Sequence, residues 1–433
     1  MGALLINGGN KLSGEVSAQG AKNAAVAVIS AAALSSDVCI IDNSPDIEDI
    51  INLTAAMNDI GVKCRQMDNN RLEIDPRNIK NHIATSEAVA KIRASYYLIG
   101  VLLGKYRKAE VALPGGCNFG NRPIDQHIKG FKALGADVFV ENGIVKAYAD
   151  DLIGANIYLD VVSVGATINI MLAAALAKGT TVIENTAKEP HVVDTANFLN
   201  MMGAKIKGAG TDTIRITGVK ELKGAKYTII PDQIEAGTYM IAAAATGGDV
   251  TVKNIIPKHM EPLTAKLIEM DCAIMSGDDY LRVKGPEKLK ATNIKTRAYP
   301  GFPTDLQPQM AALLSVAHGT SFVTENIWEN RFQYVDELKR LGCNITVEGK
   351  VAVVEGPARL TGAEAFATDL RAGASLVIAA LAAEGRTTIG DVKFIDRGYE
   401  DIVGKLSGIG ADIVRIGPED DAKKIKFIRE IGS

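Results

Sequence analysis

The sequence lacks the cysteine and histidine patterns that mark disulfide-bonded or metal-binding proteins. Its 433 residues include five cysteines and five histidines, and the cysteines are scattered without a C-x-x-C pair. An odd number of dispersed cysteines gives no disulfide framework and no zinc site, and it indicates reduced thiols in the cytoplasm. We therefore expect a cytoplasmic protein that holds no metal and no cofactor.

Long apolar runs and a strong charge of one sign are also missing. The most apolar stretch, residues 24–34, is about half the length that spans a bilayer, and residues 1–16 do not resemble a signal peptide. The formal net charge is -3, so neither a membrane nor a nucleic-acid partner is expected. A P-loop and a dinucleotide fingerprint are absent as well. Any bound phosphate would have to be neutralised by lysine and arginine.

What the chain does contain is a sixfold repeat. Each copy has a β-branched strand that closes on a polar residue or proline, and the successive closing residues are 71, 71, 69, 72 and 65 positions apart: Asn43, Pro114, Asn185, Asn254, Asn326 and Asp391. We predict that each copy runs helix, strand, helix, strand, strand. The first helix is apolar on every side, which indicates burial. Six copies predict two α/β domains, each built around three buried helices.

The second helix of each copy is amphipathic and has a glycine-type stop. Glycine can take the left-handed conformation that ends a helix. Five copies use glycine there and the fourth uses aspartate: Gly61, Gly135, Gly203, Asp271, Gly342 and Gly410.

One connection differs from its five counterparts. Residues 113–125 read LPGGCNFGNRPID, with three glycines, two prolines and Cys117. Glycine allows such a loop to open and close as a lid, and Arg122 together with a nearby helix start favours a reactive thiol. Most free cysteines are small buried hydrophobes, which is what we expect of the other four. Cys117 is the candidate acid or nucleophile.

Charged residues recur where strands meet buried helices. Lys22 with Asn23, Arg93 and Arg371 lie at helix starts, and Arg397 lies in the last inter-helix loop. Helix N-termini favour anions, and guanidinium groups bind phosphate or carboxylate bidentately. A single such cation is usually a solvated surface charge, but four at related positions indicate an anion site. Asp305 and Asp369 occupy the same kind of joint, either as helix caps or as a base and an orienting partner.

These motifs together resemble the UDP-N-acetylglucosamine enolpyruvyl transferases over essentially the whole chain. The matching stretches are GAKN (20–23), PGGC (114–117), SVGAT (163–167), FPTD (302–305), ENRF (329–332), ATDLRAGASL (367–376) and DRGYE (396–400). The resemblance implies an inside-out α/β barrel fold, with two globular domains built from six copies of one subdomain and an active-site cleft between them. It implies an N-terminal domain of residues 22–230, which carries the cysteine loop, and a C-terminal domain of residues 1–21 and 231–433.

The same resemblance implies a reaction and a set of roles. The enolpyruvyl group of phosphoenolpyruvate would pass to the 3'-hydroxyl of UDP-N-acetylglucosamine with release of phosphate, the first committed step of peptidoglycan synthesis. The implied catalytic residues are Cys117, Asp305, Lys22, Arg397 and Asp369. Those implied to bind phosphoenolpyruvate are Lys22, Asn23, Arg122, Arg371 and Arg397. Those implied to bind the nucleotide sugar are Asn23, Arg93, Arg122, Pro123, Ile124, Asp125, Gln126, Ser163, Val164, Gly165, Asp305 and Ile327, while His127 matches a position near the uridine phosphates.

Fosfomycin is implied as a covalent inhibitor at Cys117, and a monomer or weak homo-oligomer is expected. Three alternatives remain: a weaker paralogue of this enzyme, a transferase that uses shikimate 3-phosphate, and a paralogue that only binds the nucleotide sugar. The cysteine loop and the retained charged groups argue against the last two. Five positions depart from some family members and leave nucleotide affinity open: Glu48, Val161, His191, Gln233 and Tyr299.

Overall fold

The computed structural model of the chain describes residues 2–68, 70–79, 81–113 and 124–417. These residues form two compact units. One, here called the N-terminal unit, comprises the described parts of Gln19–Pro231 together with Ala298–Pro300. The other, the C-terminal unit, comprises residues 2–18, Asp232–Arg297 and 301–417. No helix in the described ranges is both long and apolar enough to cross a membrane.

Short strands make up the sheets of both units. In chain order they are β1 Ala3–Asn7, β2 Ser13–Ser17, β3 Cys39–Asp42, β4 Lys63–Met67, β5 Arg71–Asp75, β6 Ile83–Ala84, β7 Lys108–Ala112, β8 Asp137–Glu141, β9 Ile144–Tyr148, β10 Asn156–Tyr158, β11 Thr180–Glu184, β12 Lys205–Lys207, β13 Thr213–Thr217, β14 Lys226–Thr228, β15 Asp249–Lys253, β16 Ala273–Ser276, β17 Tyr280–Lys284, β18 Ile294–Lys295, β19 Gly319–Thr324, β20 Asn344–Glu348, β21 Val351–Gly356, β22 Glu364–Phe366, β23 Arg386–Gly390 and β24 Asp412–Ile416.

Helices separate these strands at regular intervals. They are α1 Lys22–Ala32, α2 Glu48–Asp59, α3 Glu87–Lys91, α4 Tyr97–Tyr106, α5 Asp125–Ala133, α6 Val164–Ala174, α7 Pro190–Met201, α8 Gln233–Ala245, α9 Glu261–Glu269, α10 Gln307–Ser315, α11 Val335–Arg340, α12 Leu370–Ala382, α13 Lys393–Asp396 and α14 Ile402–Gly408. Single 3-10 turns cover Arg93–Tyr96, Pro257–Met260, Thr304–Leu306 and Arg331–Tyr334.

The sixfold repeat is confirmed as six four-stranded sheets, three in each unit. The strand orders are β14-β3-β5-β4, β6-β7-β9-β8, β10-β11-β13-β12, β2-β15-β17-β16, β18-β19-β21-β20 and β22-β23-β1-β24. In every sheet the first two strands are parallel, and the other neighbours are antiparallel. Each sheet therefore has the same arrangement of strands, although three of the six take one strand from a distant part of the chain: β14, β2 and β1.

The predicted repeat was short by one strand. Sequence patterning indicates helix, strand, helix, strand, strand, but a parallel edge strand also belongs to each sheet. These edge strands are two to five residues long, and β10 shows the difficulty, since only its central residue is buried. A single inward-facing side chain is too little alternation to distinguish a strand from a loop.

The predicted burial of the first helices is confirmed. Nearly every residue of α4, α6, α8 and α12 is buried, and α1 and α10 are buried along most of their length. They supply much of the two hydrophobic cores, one in each unit. Each unit thus has helices inside and sheets outside, the inside-out arrangement. The predicted helix stops also adopt positive φ in all six repeats, including Asp271 at 68°.

A repeated asparagine contact fixes the strand that follows several of the buried helices. Asn43, Asn185 and Asn254 have φ between 53° and 59°, and their side-chain amides donate to the carbonyls of Ile229, Leu159 and Ala18 at 2.7–2.9 Å. Each of those carbonyls belongs to the residue just after the parallel edge strand. The asparagines therefore join the ends of the two parallel strands, and this explains why polar residues mark the repeat.

Gly20 lies in the segment that enters the N-terminal unit. It pairs with Pro231, the last residue of that unit's main segment. A Cβ atom at Gly20 would lie 1.8 Å from the Asn43 carbonyl oxygen, closer than any real contact allows. Glycine is therefore required at this position, two residues before Lys22.

Candidate functional site

The candidate residues of the N-terminal unit gather at the starts of its buried helices. Lys22 is the first residue of α1, and its Nζ lies 2.6 Å from Oδ2 of Asp49, with side-chain exposures of 14% and 6%. Asn23 follows in the same turn and is half-buried. Arg93 opens the 3-10 turn that leads into α4. The sequence analysis missed Asp49, although an acidic first turn of the next helix is a natural place for a partner of Lys22.

Two further candidate segments surround the starts of α5 and α6. Ile124 caps α5 and Asp125 opens it, while Gln126 donates to Asp125 at 2.7 Å and accepts the Asp160 backbone N–H at 2.9 Å. Ser163 caps α6 by accepting the Ala166 backbone N–H at 3.3 Å, and Val164 and Gly165 open that helix. Unpaired N–H groups and the helix dipole make both ends suited to negatively charged groups.

His127 connects these two helix starts. A Cβ atom at Gly165 would lie 3.1 Å from His127 Nε2, so glycine lets the imidazole lie close to the start of α6. On its other side, Nδ1 of His127 is 3.0 Å from the Asn169 side-chain amide. Cys117, Arg122 and Pro123, which carry the central chemical prediction, lie outside the described residues.

The candidates of the C-terminal unit gather around the Asp305 carboxylate. Asp305 lies in the Thr304–Leu306 turn ahead of α10, and its Oδ2 accepts from the Arg371 guanidinium at 2.9 Å. Its Oδ1 lies 3.5 Å from Arg331. Both arginines are at most 5% exposed, whereas Asp305 is 30% exposed. The result is an accessible carboxylate that two buried cations hold in place.

Asp369 and Arg371 act at the start of α12. Asp369 caps that helix, and its Oδ1 accepts the backbone N–H groups of Arg371 and Ala372 at 2.8 and 3.2 Å. The sequence left two roles open for these acidic residues, helix cap or base and orienting partner, and Asp369 is a helix cap. The Asp305 carboxylate pairs with Arg331 and Arg371.

The charge of Arg371 is secured by its neighbours. Burial alone would lower the pKa of Arg371, but the negative charge of Asp305, with smaller contributions from Tyr399 and Asp232, outweighs it and raises that pKa. The Tyr399 ring lies 5.9 Å from the guanidinium carbon, and its hydroxyl is 2.8 Å from Thr238 Oγ1. Tyr399 and Thr238 are contributions that sequence reasoning missed, although Tyr399 lies in the DRGYE motif.

Two further candidates of the C-terminal unit lie in loops. Arg397 follows the short helix α13 and is half-buried, and Ile327 is 40% exposed in the loop after β19. The segment 325–331 begins and ends with buried residues, Glu325 and Arg331, on either side of the exposed Ile327. Over the described ranges, no group of three or more His, Cys, Asp or Glu residues could hold a metal ion.

The four described cysteines differ from a reactive thiol. Cys39, Cys272 and Cys343 are buried and Cys64 is half-buried. Burial raises the pKa of Cys64 and Cys272 to about 12 and that of Cys343 to about 11. Because the thiolate is the nucleophilic form, these four thiols are unreactive at neutral pH. The expectation that they only pack is confirmed by their burial.

The chain is similar to known carboxyvinyltransferases over almost its whole length. The family model for EPSP synthase (3-phosphoshikimate 1-carboxyvinyltransferase) matches residues 6–406. The UDP-N-acetylglucosamine 1-carboxyvinyltransferase of Clostridium botulinum is 59% identical over 96% of this chain and all of its own length. UDP-N-acetylglucosamine 1-carboxyvinyltransferase 2 of Clostridium acetobutylicum is also 59% identical, over 96% of this chain and 99% of its own.

A solved structure shows the same fold. The crystal structure of the enolpyruvyl transferase NikO from Streptomyces tendae superposes with a TM-score of 0.87 at 28% identity, covering 96% of this chain and 98% of that one.

Proposed function

Because the chain belongs to the EPSP synthase family, and within it to the UDP-N-acetylglucosamine 1-carboxyvinyltransferases, we propose that it transfers the enolpyruvyl group of phosphoenolpyruvate to UDP-N-acetylglucosamine. The 3'-hydroxyl of the sugar is the acceptor and phosphate is released. In this proposal the chain catalyses the first committed step of peptidoglycan synthesis, in the cytoplasm. Its two domains are residues 22–230, and residues 1–21 with 231–433.

The chemistry requires one acid and one base. Cys117 would give its thiol proton to carbon 3 of phosphoenolpyruvate, which makes carbon 2 electrophilic. The sugar hydroxyl then bonds to carbon 2 as Asp305 takes its proton. In the second half the proton traffic is reversed: carbon 3 returns a proton to the Cys117 thiolate, the bond from carbon 2 to the phosphate oxygen breaks, and phosphate leaves with the proton that Asp305 had taken. The product is the enolpyruvyl ether of the nucleotide sugar.

The geometry at Asp305 carries this assignment. A base must be accessible and must be held still, and Asp305 is both, since its carboxylate is partly exposed while Arg371 and Arg331 fix its two oxygens. Lys22, Asn23, Arg122, Arg371 and Arg397 would hold phosphoenolpyruvate, whose charges need cations in place of a P-loop. Asp369 supports this set by capping the helix on which Arg371 lies.

The nucleotide sugar requires recognition of a diphosphate and a uracil ring. The starts of α5 and α6 would offer backbone N–H groups to the diphosphate. The residues proposed to bind the nucleotide sugar are Asn23, Arg93, Arg122, Pro123, Ile124, Asp125, Gln126, Ser163, Val164, Gly165 and Asp305. Ile327 would contact the sugar from the loop after β19.

The reaction is tested by incubating the purified chain with phosphoenolpyruvate and measuring phosphate release with each acceptor. We expect release with UDP-N-acetylglucosamine and a product heavier by one enolpyruvyl group in the mass spectrum. Release with shikimate 3-phosphate alone would show the sister transferase instead. Binding of the nucleotide sugar without any phosphate release would show the non-catalytic paralogue.

The acid is tested through Cys117. Cys117→Ser should lower kcat by about 10²- to 10⁴-fold, the usual contribution of a positioned acid, while the matched Cys64→Ser variant keeps wild-type rates. Fosfomycin with UDP-N-acetylglucosamine present should add one inhibitor mass to the peptide that contains Cys117. Labelling of Cys64 or another cysteine, with Cys117 unmodified, would contradict the assignment.

A further inference from the structure

Glu325 has a buried carboxylate that receives four hydrogen bonds. It follows β19 directly and is 1% exposed. Oε1 accepts from Thr296 Oγ1 at 2.9 Å and from the backbone N–H groups of Ile327 and Trp328 at 2.7 and 3.1 Å. Oε2 accepts from Thr304 Oγ1 at 3.0 Å. A buried charge is tolerated when hydrogen bonds of this kind satisfy it.

The two carboxylate oxygens reach two different parts of the candidate site. Oε1 holds the backbone of the loop in which Ile327 lies. Oε2 holds Thr304, which immediately precedes Asp305 in its 3-10 turn. The Thr304 carbonyl also accepts from Arg331 at 3.2 Å, the same arginine that faces Asp305. One side chain therefore sets the position of both the Asp305 turn and the Ile327 loop.

We propose that Glu325 is a positioning residue that aligns Asp305 with Ile327, so that the sugar hydroxyl is presented to its base. The proposal rests on the proposed function, which assigns those two residues to proton transfer and to sugar contact. Glu325 itself touches no substrate. Catalytic groups must be held within a fraction of an ångström, and a misplacement of about 1 Å costs about 10²-fold in rate.

Two threonine substitutions separate the effects of the two carboxylate oxygens of Glu325. Thr304→Val keeps the shape of the side chain and removes only the bond to Oε2, so the Asp305 turn loosens. We expect kcat to fall by about 10- to 100-fold with KM for UDP-N-acetylglucosamine changed by less than about threefold. Thr296→Val removes the bond to Oε1 and should act mainly on KM for the nucleotide sugar.

Substitution of Glu325 itself supplies the rescue test. In Glu325→Gln the amide oxygen can keep the Oε1 contacts, and its NH₂ group can donate to the Thr304 hydroxyl, which accepts as well as donates. We expect kcat within about fivefold of the wild type for Glu325→Gln and a loss of more than about 100-fold for Glu325→Ala. Thr292→Val is the matched control, because Thr292 makes an equivalent 2.5 Å bond to Glu269 on an exposed surface.

Circular dichroism and thermal melting are recorded for every variant, so that only folded proteins are compared. A Thr304→Val protein that melts earlier but keeps wild-type kcat and KM would overturn the proposal, since Glu325 would then serve stability alone. Asp305→Asn separates this failure from that of the proposed function. If Asp305→Asn retains kcat, the base assignment is wrong. If it loses kcat while Thr304→Val and Glu325→Ala do not, only the role of Glu325 is wrong.

Discussion

At the scale of single residues, the position of one proton follows from hydrogen-bond geometry. Asn169 Oδ1 accepts the Gly100 backbone N–H at 2.8 Å, and its Nδ2 donates to the Tyr96 carbonyl at 2.7 Å. These two backbone groups fix which end of the amide is which. Nδ2 is therefore also the atom that faces His127 Nδ1 at 3.0 Å. Since an amide nitrogen can only donate, His127 Nδ1 accepts, and the neutral imidazole carries its hydrogen on Nε2.

We expect nitrogen NMR of the folded protein to show the Nε2–H tautomer of His127, assigned by loss of the signal in His127→Gln. Asn169→Asp should move the proton to Nδ1, because a carboxylate must accept there. Under the proposed role of His127 near the diphosphate, UDP should then bind more weakly at a pH where the imidazole is neutral, since Nε2 would carry no hydrogen to donate. An Nδ1–H signal in the wild type would contradict the interpretation.

Asp194 gives a second prediction at this scale. Burial raises its pKa to about 6, although the Tyr227 hydroxyl donates to it at 2.6 Å. The raised pKa means that between about pH 4 and 6 the folded state binds more protons than the unfolded state. The free energy of unfolding contributed by Asp194 is therefore full below about pH 4 and is lost as the pH rises through 6, by on the order of 2–3 kcal/mol.

The measurement is denaturant unfolding of the wild type and of Asp194→Asn between pH 4 and 8. The difference between their free energies of unfolding should change across pH 4–6 and stay flat above it. Asp212→Asn, at an exposed position of the same unit, should show no such change. A difference that is flat from pH 4 to 8 would show that Asp194 is ionised throughout.

At the scale of elements, the asparagines at the strand ends explain why polar residues recur in the sequence repeat. Asn185 combines a φ of 58° with a 2.8 Å bond to the Leu159 carbonyl. Glycine can replace the conformation but not the bond, whereas alanine can replace neither. Asn185→Gly should lower the free energy of unfolding by about 1 kcal/mol, and Asn185→Ala by about 2–3 kcal/mol.

Thermal or urea unfolding of the two variants measures this difference directly. Asn200→Ala, on the nearby helix α7, serves as a comparison in which two side-chain hydrogen bonds to the Ile206 backbone are lost without a left-handed backbone. Equal losses for Asn185→Gly and Asn185→Ala would mean that the backbone conformation contributes nothing.

Some elements can be predicted from the sequence and others cannot. Buried helices and glycine stops are visible because they involve many residues of one kind, so α6 and Gly203 were predicted correctly. The edge strand β10 was missed because only its central residue is buried. The Lys22–Asp49 pair was missed because its two members lie on different helices, α1 and α2. Asp305 could be predicted as a site residue from its motif, but its two buried arginines could be recognised only once α12 and the Arg331 turn were placed beside it.

At the scale of the whole molecule, the C-terminal unit depends on the first residues of the chain. Strand β1 lies between β23 and β24, and Leu4 and Ile6 are fully buried. Deletion of residues 2–8 should leave β24 without a partner and β23 paired with β22 alone. In hydrogen exchange we expect α10 and α12 to lose protection while α4 and α6 retain it. Equal protection of all four helices would show that β1 is dispensable.

The place of β1 also imposes an order on folding during synthesis. Asn7 pairs with Arg386, 379 positions later, so at ribosomal rates the strand waits roughly 20 to 75 seconds for its first partner. The main segment of the N-terminal unit ends at Pro231 and can assemble its core well before then. During that interval the apolar side chains of Leu4 and Ile6 remain exposed, and exposed apolar side chains are what chaperones bind. The oldest part of each newly made chain is therefore among the last to reach its native place.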